Sequence, residues 1–447
     1  MLPKQFEEYM NNLLGVEASR FFEALDKPEV KSLSVDFNKI TQTNFESICD
    51  LNIKKIPYID NGYHFEGKVG NNLLWHAGII YSQDSSAMLP VIALDVEEKD
   101  IVLDMCSAPG GKSVQILQKL NNTGLLIANE VEYSRAKILY ENLTKTGYNN
   151  FAISNTFPNK FADKVCLFDK ILVDAPCSGE GMFRRNDINT YHWNTKNVET
   201  CAVRQLDILN SCKNCLKDGG KLVYSTCTYN LEENEKVVCN FLSENPDYTL
   251  IDLPKEIKEN TARGYVVDSR FDTTKCGRRY PHLHKGEGQF IAVFKRKTSN
   301  IASFKENYCD YIDLYKKDKE ILDKFLKDVV DLSNLTLKKK SNNIYAIPRI
   351  DFDYSKLNIL CLGTVVGTLD NNNIKLNHSF YKAYPENFYN IVNLSKPNAE
   401  IYLTGNVVEV EGIEGISSVM YNGVSLGGGK VTNGVLKNYY PKNLRTK

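Results

Sequence analysis

The chain contains the stretch Phe168-Asp-Lys-Ile-Leu-Val-Asp-Ala-Pro-Cys-Ser-Gly-Glu-Gly-Met-Phe183, in which a short apolar strand ends on a polar, turn-forming cluster. A second stretch has the same design and reads Lys221-Leu-Val-Tyr-Ser-Thr-Cys-Thr-Tyr229. Ligands of an open α/β sheet bind beyond the carboxyl ends of its strands. We therefore expect Cys177 and Cys227 to face one crevice, with Asp174 at the end of the first strand.

A third apolar strand, at 101–104, ends on a glycine loop that continues into a helix. The loop reads Met105-Cys-Ser-Ala-Pro-Gly-Gly-Lys112, which is neither a dinucleotide fingerprint nor a Walker loop. Its glycines permit a close backbone approach, and the helix N-terminus presents free N–H groups. Glu130 ends the next strand, about 20 residues further on, where an acid in a Rossmann-like fold binds a ribose diol. These features favour a nucleoside-type cofactor over a pyrophosphate.

Length and composition narrow the class of protein. A chain of 447 residues predicts two or three domains. Its 55 Lys and Arg residues balance 55 Asp and Glu residues, so a nucleic-acid binder must place its positive charge on one face. Twelve cysteines are typical of a small secreted protein built on disulfides, but we find no signal peptide at the start. The chain is also large, and its 42% of hydrophobic residues suffice for an ordinary apolar core. We expect a cytoplasmic protein with reduced thiols and no membrane span.

The order of predicted elements divides the chain into four regions. Residues 1–94 form an N-terminal extension, with an amphipathic helix over 3–25 and a helical segment over 75–91. Strands and helices alternate over 95–297, which predicts an α/β fold with a doubly wound sheet. Residues 298–394 form an intermediate α+β region, helical over 301–330, and 395–447 form a small β module. The tail at 437–445 interleaves cations with aromatics, as nucleic-acid surfaces do, although a solvated basic terminus has the same composition.

These motifs together resemble RNA (cytosine-5) methyltransferases that use S-adenosylmethionine, the Nol/Nop/Sun superfamily. The resemblance rests on Asp104–Lys112, Asp174–Gly181 and Ser225–Thr228, and it extends to Arg135, the Gly-Glu-Gly288 loop and Tyr81-Ser-Gln83. The ending resembles the C-terminal module of the bacterial RsmF-type branch, in the segments Tyr402–Gly405, Leu426–Lys430 and Pro441–Arg445. The whole resemblance implies a Rossmann-like class I methyltransferase sheet, an N-terminal RNA-binding extension and a C-terminal PUA-like module.

The resemblance also implies a role for each catalytic residue. Cys227 matches the nucleophile that adds to C6 of cytosine and activates C5, and Cys177 matches the residue that assists release of the product. Asp174 matches the acid that holds the base and stabilises the adduct. Lys112 lies near the site, where its positive charge is expected to favour a thiolate.

The cofactor implied by the resemblance is S-adenosylmethionine. Its methionine part is expected against the residues of the glycine loop, which are Cys106, Ser107, Ala108, Pro109, Gly110, Gly111 and Lys112. Glu130 is expected to hold the ribose, and Arg135, Asn155 and Asp174 complete the predicted cofactor set. Asn155 stands where the family usually has an acid that contacts the adenine. The chain also departs from the family in its C-terminal module, at Gly428 and Asn443, which concerns the RNA substrate and not the chemistry.

Several alternatives stay open from the sequence. The two cysteines alone also suit buried structural thiols. Cys212 and Cys215 form a C-x-x-C inside a helical pattern, so we expect no metal there, and His282 and His284 are expected to contact RNA or the protein itself. The expected partner is small-subunit ribosomal RNA or the 30S subunit, bound by a monomer. Transfer RNA as substrate, or an inactive ribosome-assembly factor, are the other functions considered. Amino-group or ribose methylation leaves the cysteine strand unexplained.

Overall fold

The computed structural model describes residues 2–184, 193–297, 308, 310–370 and 372–446. Within these ranges the helices are α1 (Lys4–Leu14), α2 (Ala18–Leu25), α3 (Gln42–Ile48), α4 (Leu73–His76), α5 (Ser85–Leu94), α6 (Gly111–Leu120), α7 (Tyr133–Thr146), α8 (Thr195–Cys212), α9 (Glu235–Glu244), α10 (Lys255–Lys258), α11 (Lys316–Leu326), α12 (His378–Ala383) and α13 (Lys396–Leu403). None of the helices described is long and apolar enough to cross a membrane.

The strands fall into four sheets. The first holds β1 (Ser32–Val35), β2 (Asn52–Lys55), β3 (Gly62–Glu66) and β4 (Ile80–Ser82). The main sheet holds β5 (Ile101–Asp104), β6 (Leu125–Asn129), β7 (Phe151–Ser154), β8 (Phe168–Asp174), β9 (Leu216–Thr226), β10 (Tyr248–Ile251), β11 (Ala262–Arg263), β12 (Gly277–Arg279) and β13 (Gln289–Arg296), together with a strand from further along the chain.

The third sheet holds β14 (Ile312–Asp313), β15 (Thr336–Lys340), β16 (Asn343–Ile347), β18 (Thr364–Asp370) and β19 (Asn373–Leu376), while β17 (Ile359–Leu362) completes the main sheet. The fourth sheet holds β20 (Ile391–Asn393), β21 (Val408–Glu409), β22 (Gly415–Tyr421), β23 (Val424–Thr432) and β24 (Val435–Asn438).

The main sheet has the parallel core that the alternating pattern predicts. Its strand order is β11-β12-β13-β9-β8-β5-β6-β7-β17, and the five central strands from β9 to β7 are parallel. The buried strands are apolar on both faces, because helices cover both sides of a sheet of this kind. The strand order reverses between β5 and β8, which places the binding crevice beyond Asp104 and Asp174. The predicted α/β fold is confirmed.

The intermediate region, predicted over 298–394, contributes a strand to the main sheet. The predicted division of the chain does not include this contribution. β17 pairs antiparallel with β7, so the range 95–297 leaves out one edge strand of that sheet. The fourth sheet likewise begins before residue 395, because β20 pairs in parallel with β22. The local sequence pattern of β17 and β20 does not predict which sheet each strand joins, because their partner strands are distant in sequence.

Three predicted helical segments differ from the structure. The helix expected over 3–25 is divided into α1 and α2, because Gly15 at the end of α1 has a φ of 54°. The segment 75–91 contains the strand β4, whose pairing with β1 decides its conformation. Of the helix expected over 301–330, the described residues contain α11; residues 298–307 and 309 lie outside the described ranges.

The outer modules are joined by buried apolar residues. The first and fourth sheets share one cluster, in which Leu33 and Ile80 belong to the first and Val392 and Leu426 to the fourth. A separate cluster lies between α11, α12 and the third sheet. The first and fourth sheets therefore pack on each other.

Candidate active site

The two cysteines singled out in the sequence lie side by side. Cys177 follows β8, Cys227 follows β9, and their Sγ atoms are 3.3 Å apart. Both residues are partly exposed to the crevice. The hydrogen bond to Cys227, together with burial, raises the pKa of the Cys177 thiol well above its usual value. Because the thiolate is the nucleophilic form, a raised pKa keeps Cys177 in the less reactive thiol form at neutral pH.

Asp174 lies at the end of β8 with both carboxylate oxygens engaged. Its Oδ2 accepts a hydrogen bond from Lys112 Nζ at 2.7 Å, and its Oδ1 accepts from Ser225 Oγ at 2.6 Å and from Gln289 Nε2 at 3.3 Å. Burial disfavours the charge on Lys112, but the Asp174 carboxylate outweighs it and raises the pKa of Lys112. The Lys112 charge also interacts with Cys227. A fixed cation and a fixed carboxylate therefore lie beside the thiols.

The loops that carry the cysteines are tied together by Glu180, a residue that the sequence analysis did not select. Its carboxylate is fully buried. Oε2 accepts from Thr228 Oγ1 at 2.6 Å and from two backbone N–H groups, those of Tyr229 at 2.7 Å and Asn230 at 2.9 Å. Oε1 accepts from Asn230 Nδ2 and from the indole Nε1 of Trp193, each at 3.0 Å. A carboxylate between two glycines in the motif was the available signal for this role.

Gly181 brings the two loops into direct backbone contact. Its N–H donates to the Cys227 carbonyl at 2.8 Å. A Cβ atom on Gly181 would lie 2.8 Å from that carbonyl oxygen and 2.9 Å from the Cα of Gly288. Only glycine fits between the two loops, so the thiol separation is set by backbone packing.

The two glycines of the loop after β5 pack closely against neighbouring side chains of the protein. Gly110 has a φ of 118°, which favours glycine. A Cβ atom on Gly111 would lie 3.2 Å from both Tyr81 and Gln83, residues of the N-terminal segment that the sequence also singled out. Burial raises the pKa of Cys106 well above its usual value, so its thiol stays protonated. The N-terminus of α6 therefore faces the crevice without a charged loop side chain before Lys112.

Asp104 is a buried acid beneath this loop. Ser113 Oγ donates to its Oδ2 at 2.6 Å, while Oδ1 is buried with no hydrogen-bond partner among the described residues. Burial raises the pKa of Asp104 to about 7. An unpaired buried carboxylate oxygen next to a glycine loop fits a polar, hydrogen-bonding ligand at this position.

Glu130, Arg135 and Asn155 lie together at the ends of β6 and β7. Glu130 Oε1 accepts from the Glu132 N–H at 2.9 Å, and its Oε2 is 3.5 Å from Arg135 Nη1. Arg135 Nη2 also donates to the carbonyl of Ala108 at 2.6 Å, which links the acid to the glycine loop. Asn155 Nδ2 donates to the Glu130 carbonyl at 2.8 Å, so its amide holds the strand ends. Glu130, Arg135, Asn155 and the carbonyl of Ala108 are thus connected by hydrogen bonds and an ion pair.

The remaining candidates lie away from the thiols or serve the fold. Cys212 and Cys215 are buried, and no group of three or more His, Cys, Asp or Glu suited to a metal occurs within the described ranges. His284 Nδ1 accepts from the Tyr280 N–H at 3.3 Å, and His282 Nε2 is 3.8 Å from Glu17. Gln289 contacts Asp174 but was not selected from the sequence, because only the register of β13 brings it there.

Comparisons with known proteins cover most of the chain. Residues 91–295 match the model of the 16S rRNA methyltransferase RsmB/F family. Residues 2–85 match the N-terminal domain of 16S rRNA methyltransferase RsmF, and 389–446 match the methyltransferase RsmF PUA domain. The two outer matches coincide with the first sheet and with the fourth, including β20.

Full-length relatives and solved structures agree with these matches. The chain is 31% identical to ribosomal RNA small subunit methyltransferase F of Shewanella piezotolerans, over 95% of the chain and 93% of the relative. It is 28% identical to the protein of that name from Vibrio parahaemolyticus, over 99% and 97%. A methyltransferase homolog protein from Pyrococcus horikoshii is 29% identical over 66% of this chain and 95% of that one, with a TM-score of 0.58. NSun6 from Pyrococcus horikoshii, solved with SFG, shares the fold at 22% identity, 66% and 99% coverage, and a TM-score of 0.57.

Proposed function

The chain belongs to the RsmB/F family of 16S rRNA methyltransferases, and we propose that it methylates C5 of a cytosine in small-subunit ribosomal RNA through a covalent adduct with Cys227. The observation that carries this proposal is the pair of thiols 3.3 Å apart, with Asp174 and Lys112 beside them. Methyl transfer to an amino group or a ribose hydroxyl needs no thiol nucleophile. Two thiols at the ends of adjacent parallel strands are explained by attack on a pyrimidine ring.

Cys227 is the proposed nucleophile. Its thiolate forms a bond to C6, the electrons of the C5–C6 double bond move to C5, and C5 then takes the methyl group. Lys112 supplies a positive charge that interacts with Cys227. Asp174 is positioned to accept a hydrogen bond from the base and to stabilise the charge that develops on the ring in the adduct.

Cys177 is the proposed helper in product release. After methyl transfer a proton must leave C5, and the bond between sulfur and C6 must break, which restores the ring double bond and the Cys227 thiolate. Cys177 lies in hydrogen-bond contact with Cys227 and remains a thiol at neutral pH. It is therefore close enough to assist this step.

S-adenosylmethionine, the proposed cofactor, supplies an electrophilic methyl group carried on a sulfonium. The glycine loop 106–112 is proposed to hold its methionine part, and Glu130 its ribose hydroxyls. The buried carboxylate oxygen of Asp104 that has no partner among the described residues supports the fit. Asn155 remains the proposed contact near the adenine.

The C-terminal tail is proposed to bind the RNA backbone in a cleft of about 1080 Å³ between the third and fourth sheets. The cleft has four cations, Lys375, Lys430, Lys442 and Arg445, against one carboxylate, Asp370. None of the four cations forms an ion pair with another described residue. The chain has no net charge, so this segregation supplies the positive face that RNA binding requires.

Bisulfite sequencing tests the proposal. Unmodified 16S rRNA, 30S subunits and transfer RNA are each incubated with the protein and S-adenosylmethionine. We expect a new 5-methylcytosine in the 16S rRNA or in the 30S subunit. A methyl group found on a ribose or on an amino nitrogen would exclude the proposed chemistry, whereas 5-methylcytosine in transfer RNA alone would exclude the proposed substrate.

A further inference from the structure

We propose that Gln289 determines the specificity for cytosine, by accepting a hydrogen bond from the 4-amino group of the target base. This inference rests on the proposed function. It assigns a role to a side chain that lies at the beginning of β13 and is buried beside Asp174.

The backbone around Gln289 is held rigidly, so its side chain has a defined position. β13 pairs with β9 in the register Phe290 to Thr226, which places Gln289 level with Cys227. The preceding Gly288 packs against the ring of Tyr229, since a Cβ atom there would lie 2.5 Å from a ring carbon. One residue earlier, the Glu287 carboxylate forms a buried ion pair at 3.0 Å with Arg184.

The hydrogen bond to Asp174 determines the orientation of the Gln289 amide group, because it places the amide nitrogen against the carboxylate. Gln289 Nε2 donates to Asp174 Oδ1, and an acceptor such as a carboxylate requires the nitrogen at that position. The amide oxygen then has no hydrogen-bond partner among the described residues. The whole residue is 3% exposed, and this oxygen belongs to the same amide group as the nitrogen that contacts Asp174. The amide oxygen and the Asp174 carboxylate are therefore neighbouring acceptors.

Two adjacent acceptors suit cytosine and reject uracil. The 4-amino group of cytosine has two N–H donors, and the adjacent ring nitrogen becomes a donor when it is protonated in the adduct. Asp174 and the Gln289 oxygen together can accept from this edge. Uracil presents a carbonyl oxygen at the same place, where it would face lone pairs without a donor. Leaving polar groups unpaired in this way is an effective means of discrimination.

A cycle that pairs a protein substitution with a base substitution tests the inference. Wild type and Gln289→Met are compared on RNA with cytosine at the target position, and on RNA in which pyrimidin-2-one, which lacks the 4-amino group, replaces it. We expect Gln289→Met to lower kcat/KM at least tenfold on cytosine and less than twofold on pyrimidin-2-one. Gln289→Asn, which withdraws the amide by one methylene, should give an intermediate ratio. An equal loss on both bases would overturn the inference, since Gln289 would then act only on the fold or on Asp174.

The controls separate this outcome from other failures. Gln118→Met replaces a buried glutamine at the far end of α6 and should keep the wild-type ratio. The melting temperature and the Kd for S-adenosylmethionine should be unchanged in Gln289→Met. If Gln289→Met does not fold, Gln289→Asn alone decides the outcome. A wild type that methylates neither base would count against the proposed function itself, not against the role of Gln289.

Discussion

Individual side chains of the crevice are held in place by several hydrogen-bond partners. Asp174 accepts from Lys112, Ser225 and Gln289, so its carboxylate cannot rotate away from the base position. The Lys112 side chain is only 12% exposed but keeps its charge because Asp174 is 2.7 Å away. Preorganised charges of this kind need no reorganisation when the ring charge changes.

Glu130 is expected to bind the ribose, because it is buried at the end of β6 and faces the glycine loop through Arg135. Glu130→Ala should weaken the binding of S-adenosylmethionine by about 2 kcal/mol, or about 30-fold, the cost of losing charge-assisted hydrogen bonds. Isothermal titration calorimetry measures the change.

Two variants control for this prediction. Glu130→Gln keeps the acceptor for the Glu132 N–H and should lose less affinity than Glu130→Ala. Glu141→Ala alters an exposed acid of α7 and should bind the cofactor as wild type does. Unchanged affinity in Glu130→Ala would show that the ribose is held elsewhere.

Single elements of the chain fix the geometry of the thiols. The short turn at Glu180–Met182 connects the loop of Cys177 to that of Cys227. The Glu180 carboxylate accepts four hydrogen bonds from the loop of Cys227 and a fifth from Trp193. Glu180→Ala would leave these buried donors without an acceptor. We expect a loss of at least about 3 kcal/mol in the free energy of unfolding, measured by urea denaturation.

A matched variant shows whether that loss depends on burial. Glu232 lies on the loop that follows Cys227, but it forms an exposed ion pair with Lys236. Glu232→Ala should therefore change the free energy of unfolding by less than about 0.5 kcal/mol. Equal stability in Glu180→Ala and wild type would mean that water replaces the carboxylate, and that the loops need no clamp.

The sequence predicted the elements whose determinants are local. The strand at 101–104 occurs where the apolar pattern places it. The thiol pair was also expected, because parallel strands end at one sheet edge. Glu180 and Gln289 were not selected as site residues, since their partners are brought to them by tertiary pairing. β17 was missed for the same reason, as its partner β7 lies about 200 residues earlier.

The four regions predicted from the sequence are connected in the structure by contacts between residues that are distant in the chain. β17 closes the main sheet, His76 Nδ1 contacts the Tyr440 hydroxyl at 2.8 Å, and Lys382 Nζ donates to the Ala77 carbonyl at 2.9 Å. A chain cut after residue 297 would expose the edge of β7 and part of the main core. RNA binding by the C-terminal module is therefore better tested with point substitutions than by truncation.

Removing two cations from the cleft should weaken RNA binding and make it less dependent on salt. In Lys430→Ala/Lys442→Ala the slope of log Kd against log salt should fall by about 2, because each lost phosphate contact contributes about 0.9. Fluorescence anisotropy with an rRNA fragment at several salt concentrations measures it. The pair Lys255→Ala/Lys258→Ala, on exposed α10, should keep the wild-type slope. An unchanged slope in both would place the RNA outside this cleft.

The central claim is that Cys227 forms the bond to RNA and Cys177 allows it to break. Each cysteine variant and the double variant are incubated with target RNA and S-adenosylmethionine, and the products are separated by denaturing gel electrophoresis. Because release follows attack, Cys177→Ala should methylate once and accumulate a covalent protein–RNA complex. Cys227→Ala and the double variant should form none. A complex in Cys227→Ala but not in Cys177→Ala would exchange the two roles, and no complex in any variant would contradict the covalent mechanism.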